Sequence, residues 1–348
     1  MIVDLGLDPE AIRDLAHPDM PSFGAAAQRE LLRSILAHGY LLLPNREATA
    51  ALTAIVDGAA FSQGFKTKWL ELLVSIVQSK RVGFADPALE GSFAARASDG
   101  GLHFGPQAIG DGIAIVPRSD FQQLFPNSDS PQVNVAGLTM TTADQLGETS
   151  AISRRQSLSD SGLHPHGTSR DFVWEDLFRP LTRRSSSFVM FDRYLLKELA
   201  SRQSRSSQAH PEHLVWLLEH IDSAAALRAS VHLVAQAQPE HGILDAQDAL
   251  DLVLSSWTPV AGNITELKVT VSSWTDTGRR PHNRHFRFGK SLGFDLIEGF
   301  DRLRSPNLWD PEGIRWQYHW LPSAIGAMVR RETDIAGGPT ASHITQAI

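Results

Sequence analysis

The chain has 348 residues, 42% of them hydrophobic and 20% charged, with 32 basic against 39 acidic side chains for a formal charge of -7, and no cysteine. At roughly 100–200 residues per domain this length favours two packed domains and excludes a mainly disordered chain. Without cysteine there is no disulfide framework, thiolate nucleophile or Cys-ligated metal, which fits a reducing cytosol.

The start MIVDLGLDPE is acidic where a secretory signal is basic, and no apolar run approaches the ~18–20 residues of a membrane span. A cytoplasmic protein is expected. Residues 1–146 alternate between strand and helix patterns, which predicts an α/β domain. Met1 to Leu5 reads as extended, Phe23 to Ala37 as a helix, and Tyr40 to Leu43 as a strand closed by Pro44 and Asn45. Ala48 to Ala60 and Lys66 to Ser79 read as helices, and Gly112 to Val116 and Gln132 to Val135 as strands. Ser119 with Asp120 is expected to cap a short helix over Phe121 to Leu124.

From about Gly147 to Arg170 the chain is rich in Ser, Gly and Arg, and a linker or mobile loop is expected. A second α/β unit follows over 171–335. A helix carrying Trp174, Leu177 and Phe178 leads to a strand over Ser187 to Phe191, and Asp192-Arg193-Tyr194 falls at its carboxyl end, where α/β sheets bind ligands. Asp192 and Arg193 can pair with each other or cap the next helix; alternatively Asp192 orients a histidine while Arg193 joins a phosphate site. His213 to Ile221 and Asp245 to Trp257 read as helices, Ser230 to Ala235 and Glu266 to Ser273 as strands, and Thr275 to Arg280 as a turn. His282 to Phe288 is a further expected strand. A Trp-rich segment and a helix-like stretch precede a polar tail, 336–348, expected to fray. Trp309, Trp316, Tyr318 and Trp320 can stack nucleobases or pack a core.

The densest chemical signal lies between Arg279 and Lys290, where five cations and two histidines occur without an acid. On a strand, His282, Arg284, Phe286 and Phe288 share one face while Asn283, His285 and Arg287 share the other. His282 and Arg284 can therefore converge on one anion, histidine as nucleophile or proton carrier and guanidinium as a forked phosphate ligand. Arg279, Arg280, His285, Arg287 and Lys290 are candidate contacts to phosphate or nucleic acid. A solvated basic edge strand that discourages aggregation is the alternative.

The order of Phe191-Asp192-Arg193-Tyr194, helix, strand, helix, strand, His282-Asn283-Arg284 and Gly289-Lys290-Ser291-Leu292-Gly293-Phe294-Asp295-Leu296 resembles the phospholipase D-like fold. It is similar to the branch that includes MIT C-terminal type domains and bacterial conflict-system proteins, over roughly Asp171 to Asp301. The resemblance implies a mixed sheet flanked by helices and metal-independent phosphodiester hydrolysis with no cofactor. His282 would be the nucleophile, Arg284 and Ser291 would hold phosphate, and Asp192, Arg193 and Asp295 would support them. Arg284 falls where active members carry lysine and Gly289 where they carry aspartate, so a catalytically inactive domain that binds nucleic acid, phospholipid head groups or a partner protein is the alternative. A single motif implies a homodimer through this domain, since the second histidine then comes from another chain. A nuclease effector of a bacterial defence system, with a partner protein from a multi-gene set, is the implied setting.

His164 and His166 can fold over such a site or be incidental, and a zinc site with Asp192 and His282 is not indicated by spacing. In the first domain Asp4, Glu30, Asp111 and Asp120 faintly resemble the acidic set of PIN-like nucleases. Solvated turns or a partner-binding domain account for the same acids.

Overall fold

The computed structural model describes residues 3–16, 21–43, 47–79, 81–84, 112–135, 138–158, 161–203, 212–225, 228–273, 284–308 and 313–348. The chain divides into two compact units, Met1–Ser157 and Leu158–Ile348, each built on a mixed sheet with helices, an α/β architecture.

In the first unit the elements run β1 (Val3–Leu7), α1 (Pro21–His38), β2 (Gly39–Leu43), α2 (Glu47–Gly58), α3 (Gln63–Gln78), β3 (Val82–Phe84), β4 (Ile113–Ile115), α4 (Arg118–Leu124), β5 (Gln132–Val135), β6 (Leu138–Thr141) and α5 (Ser150–Ser157). The sheet order is β3-β2-β1-β4-β6-β5, parallel except for β5. Every residue of β1 is buried, as expected of a central parallel strand covered on both faces. Leu5, Leu31, Ile35, Leu41, Leu52 and Trp69 belong to its core. Arg81 is buried and donates to the carbonyls of Ile35, Leu36 and Gly39 at 2.8, 2.7 and 3.0 Å, satisfying acceptors that the end of α1 leaves open.

Two sequence expectations change here. The short helix begins at Arg118, so Ser119 and Asp120 lie in its first turn, and its first N–H is met by the Asp14 carboxylate at 2.7 Å instead. The segment read as a linker instead forms α5, whose Ile152 is fully buried in the first core. Eight residues with few apolar anchors are too short a stretch for helical periodicity to show.

The second unit contains β7 (Gly162–His164), a helical run α6 (170–182) whose middle turn Trp174–Phe178 is π-type, β8 (Ser187–Phe191), α7 (Lys197–Gln203), α8 (His213–Ala224), β9 (Ala229–Gln236), α9 (Ala246–Ser256), β10 (Ile264–Ser272), β11 (His285–Phe288), β12 (Leu292–Leu296), β13 (Ile314–His319), α10 (Pro322–Ala336) and β14 (Ser342–Ala347). The eight strands lie in the order β14-β10-β9-β8-β11-β12-β13-β7. β8, β9 and β10 are mutually parallel, and the other pairings are antiparallel.

One face carries an aromatic core. Phe178 of α6 lies 5.4 Å from Phe286 and 5.6 Å from Phe294, and Phe286 lies 5.8 Å from Phe300. Trp316 and Tyr318 are buried in β13, so they pack the unit rather than stack bases; Trp309 lies outside the described residues. The polar tail does not fray. Ser342–Ala347 pairs antiparallel with β10, because a ladder of backbone hydrogen bonds holds an edge strand whatever its side chains.

The loop entering β10 is held by one carboxylate. Asp222, at the end of α8, accepts from the backbone N–H of Val260, Ala261, Gly262, Asn263 and Ile264 at 2.8–3.2 Å. Burial raises its pKa, but these donors outweigh it and keep the carboxyl below its ordinary value. Asp222→Ala strands several of those donors and is expected to lower stability by about 3 kcal/mol, measured by urea unfolding.

Candidate functional site

The carboxyl end of β8 is where a parallel α/β sheet exposes a ligand crevice. Antiparallel pairing sets His285 opposite Phe191, which brings Arg284 beside Asp192. Arg284 Nε lies 3.4 Å from Asp192 Oδ1, and its Nη1 donates to the carbonyl of Glu298. Asp192 also accepts from the N–H of Tyr194 at 2.9 Å and of Phe300 at 3.2 Å. Burial pushes the Asp192 carboxyl above its ordinary value, against the pull of Arg284 and the two N–H donors. Gly299 closes this arrangement at φ +93°. A Cβ there would lie 2.6 Å from Arg284 Cδ and 2.7 Å from Asp192 Oδ2, so the approach requires glycine.

Next to this pair stands Tyr194, with 38% of its surface exposed. Three cations surround its ring: Arg193 Cζ at 5.3 Å, Lys197 Nζ at 5.5 Å and Arg284 Cζ at 5.7 Å from the centroid. Lys197 comes from the first turn of α7, while Arg193 is steadied by donating to Gln236 at the end of β9. The arrangement gathers positive charge around an accessible aromatic ring, which suits a ligand carrying both phosphate and a flat surface.

The remaining members of the cationic segment go elsewhere. His285 and Arg287 point to the opposite face from Phe286 and Phe288, as strand alternation predicts, but they are not open to polyanions. His285 is fully buried, stacks on Phe191 at 4.6 Å and bonds Glu332 Oε1 at 2.9 Å. Arg287 grips the same carboxylate with Nε at 2.8 Å and Nη2 at 2.6 Å. Glu332 projects from α10, an acid the sequence spacing gives no reason to pair with β11. Burial alone would raise Glu332, yet the bonds from Arg287 and His285 bring it down to about 2. Asp295 faces this layer too, bonding His319 at 3.0 Å and pairing with Arg331 at 3.3 Å. It therefore supports the helix–sheet contact and not Arg284.

Lys290 and Ser291 occupy the hairpin between β11 and β12, where the N–H of Gly289 donates to Ser187 at the start of β8. Five residues at about 3.3 Å each separate Arg284 from Gly289, so roughly 16 Å of strand divides the two. Ser291 and Arg284 consequently do not share one phosphate. His282, Arg279 and Arg280 lie outside the described residues.

Sequence reasoning overlooked His213 and Lys197. His213 is buried at the start of α8 with Glu212, whose carboxylate caps the helix by accepting from Leu214 N–H at 2.8 Å and also contacts the imidazole. Burial lowers the His213 pKa, but Glu212, Asp192 and Asp301 together raise it above the ordinary value. The Tyr194–Lys197 spacing of three was the available signal for a shared helical face.

His164 is buried, stacked on Trp316 at 4.5 Å and 3.5 Å from Asp176. It belongs to the β7 contact and not to a flexible flap. In the first unit Asp4 is buried in β1, Glu30 accepts from Gln156 at 3.1 Å, Asp120 sits on α4, and Asp111 lies outside the described residues. Among the described residues no three His, Asp or Glu side chains are grouped to share a metal ion. No protein-family model matches the chain, and no curated protein matches it.

The polar layer beneath α10 makes stability acid-sensitive. His232 bonds Thr270 at 2.9 Å, which bonds His343 at 3.0 Å. Burial brings His232 down to about 4, with Lys268, Arg287 and His343 acting in the same sense and Glu332 opposing. Between about pH 6.5 and 4 the unfolded chain binds a proton that folded His232 refuses, so this contribution is present at neutral pH and lost on acidification. Urea unfolding at pH 7 and pH 4.5 should show a loss of about 2–3 kcal/mol from this group. His232→Gln should flatten that segment of the pH profile.

Proposed function

We propose that the second unit recognises phosphodiesters at the carboxyl end of β8, through Arg193, Lys197 and Arg284 around Tyr194. The observation that carries this reading is the convergence of three cations on one exposed ring, Arg193 from the turn after β8, Lys197 from the start of α7 and Arg284 from just before β11, at the carboxyl end of the parallel β8–β9–β10 part of the sheet. The buried Asp192 beneath them holds Arg284 in place, Gln236 steadies Arg193, and Lys197 adds an exposed point charge. Such a cluster suits an anionic diester better than a metal or a neutral metabolite, because three cations converge there and the acid beside them, Asp192, is buried against Arg284.

A second reading adds hydrolysis. It is favoured by the position of Arg284, which stands at this end of the sheet two residues after His282 in the chain. In that reading the protein is a phospholipase D-like phosphodiesterase with His282 as nucleophile. A second chain provides the second histidine, and the setting is a nuclease effector of a bacterial conflict system. The division of Arg284 from Ser291 and the Arg284–Asp192 pair favour recognition without cleavage as the first reading.

Fluorescence anisotropy with a labelled single-stranded oligonucleotide tests recognition. Arg193→Ala combined with Lys197→Ala should weaken binding and reduce the slope of log affinity against log salt by about 1.4, roughly 0.7 per charge for single strands. Lys290→Ala should change it much less than the double substitution does. Unaltered binding in the double variant would place the contact elsewhere. Cleavage of plasmid, single-stranded DNA or RNA that survives EDTA and disappears in His282→Ala would establish the hydrolytic reading. Cleavage abolished by EDTA and indifferent to His282 would contradict it.

A further inference from the structure

We infer that Tyr194 is a stacking platform for a nucleobase, so that the phosphodiester bound at this end of the sheet is single-stranded nucleic acid. The inference rests on the phosphodiester reading above and names its substrate class. Most large aromatic rings of the second unit's core are buried: Phe178, Phe188, Phe286, Phe288, Phe294, Trp316 and Tyr318 all fill its interior. Tyr194, in the turn after β8, is exposed instead, and unlike the exposed Phe172 it has, among the described residues, three cations around its ring. Its backbone is pinned by the 2.9 Å bond from its N–H to Asp192, and Leu195 and Leu196 behind it are fully buried. A ring held on a fixed backbone can be stacked upon with little ordering of the chain.

The surroundings select among phosphodiesters. Phosphate and a π-surface occur together in nucleotides, and proteins that bind single strands combine cations along the backbone with aromatic faces for the bases. Arg193 and Arg284, at 5.3 and 5.7 Å from the centroid, also carry planar guanidinium groups that stack on bases, while Lys197 offers a point charge to phosphate. A duplex keeps its bases stacked on one another, out of reach of a single tyrosine. A phospholipid head group brings phosphate to the cations but nothing flat to the ring. Because the ring accepts any base, the contact predicts little preference for sequence.

The test compares, on the full-length protein, a labelled oligonucleotide of about a dozen nucleotides with an abasic oligomer of the same phosphodiester length, alongside a duplex and vesicles of phosphatidylglycerol. The base-containing strand should bind about tenfold more tightly than the abasic one. Tyr194→Leu should bring it down to the abasic affinity, and Tyr194→Trp should retain the difference; thermal unfolding of both variants confirms that they fold. Equal affinity for the two oligomers in the unsubstituted protein overturns the stacking inference and leaves phosphodiester recognition standing. Vesicle binding without oligonucleotide binding likewise overturns it in favour of lipid phosphate. Failure to bind any of the four overturns both.

Discussion

The antiparallel pairing of β11 with β8 is the constraint on which the second unit depends. Its register sets His285 against Phe191, Phe286 against Met190 and Phe288 against Phe188. Because strand side chains alternate, a slip of one residue would drive His285 and Arg287 into the aromatic core and expel Phe286 and Phe288. The same register delivers Arg284 to Asp192 just beyond the strand end. A packing requirement on one face thus determines the electrostatics at the edge.

The second consequence is a division of labour among cations that lie close together in the chain. Arg284 goes to the crevice end, Arg287 turns to Glu332 on α10, and Lys290 stays with the distant hairpin. Glu332 accepts from both Arg287 and His285, so the polar layer between α10 and the sheet is internally matched instead of exposed. Removing one partner would leave buried charge uncompensated, which explains why this layer works as structure and not as a binding surface. Of Arg284, Arg287 and Lys290, Arg284 is the one that reaches Tyr194.

Much of the architecture was legible in sequence because long strands and helices announce themselves by periodicity. The alternation of β8, α8, β9, α9 and β10 is visible in the apolar spacing, as is the placement of Asp192 at a strand end. The opposed faces of Phe286 and Arg287 follow from period two alone. What could not be read depended on partners distant in sequence. Nothing near Arg287 indicates Glu332, forty-five residues on, and nothing near Arg284 indicates that Gly299 must lack a side chain to admit it. Short or polar elements were hidden for a different reason: α5 has one strong apolar anchor, and β14 is held by backbone bonds. The candidate site was half visible. Asp192, Arg193 and Arg284 meet, whereas Ser291 and Lys290 belonged to the same motif in sequence and lie at the other end of the strand.

Hydrogen exchange of the full-length protein, with and without a saturating single-stranded oligonucleotide, tests the central claim most directly, since it reports where a ligand slows backbone opening. Binding at the β8 end predicts new protection over residues 192–199 and at the start of β11, with the Gly289–Ser291 hairpin unchanged. Protection confined to that hairpin or to the first unit would contradict it.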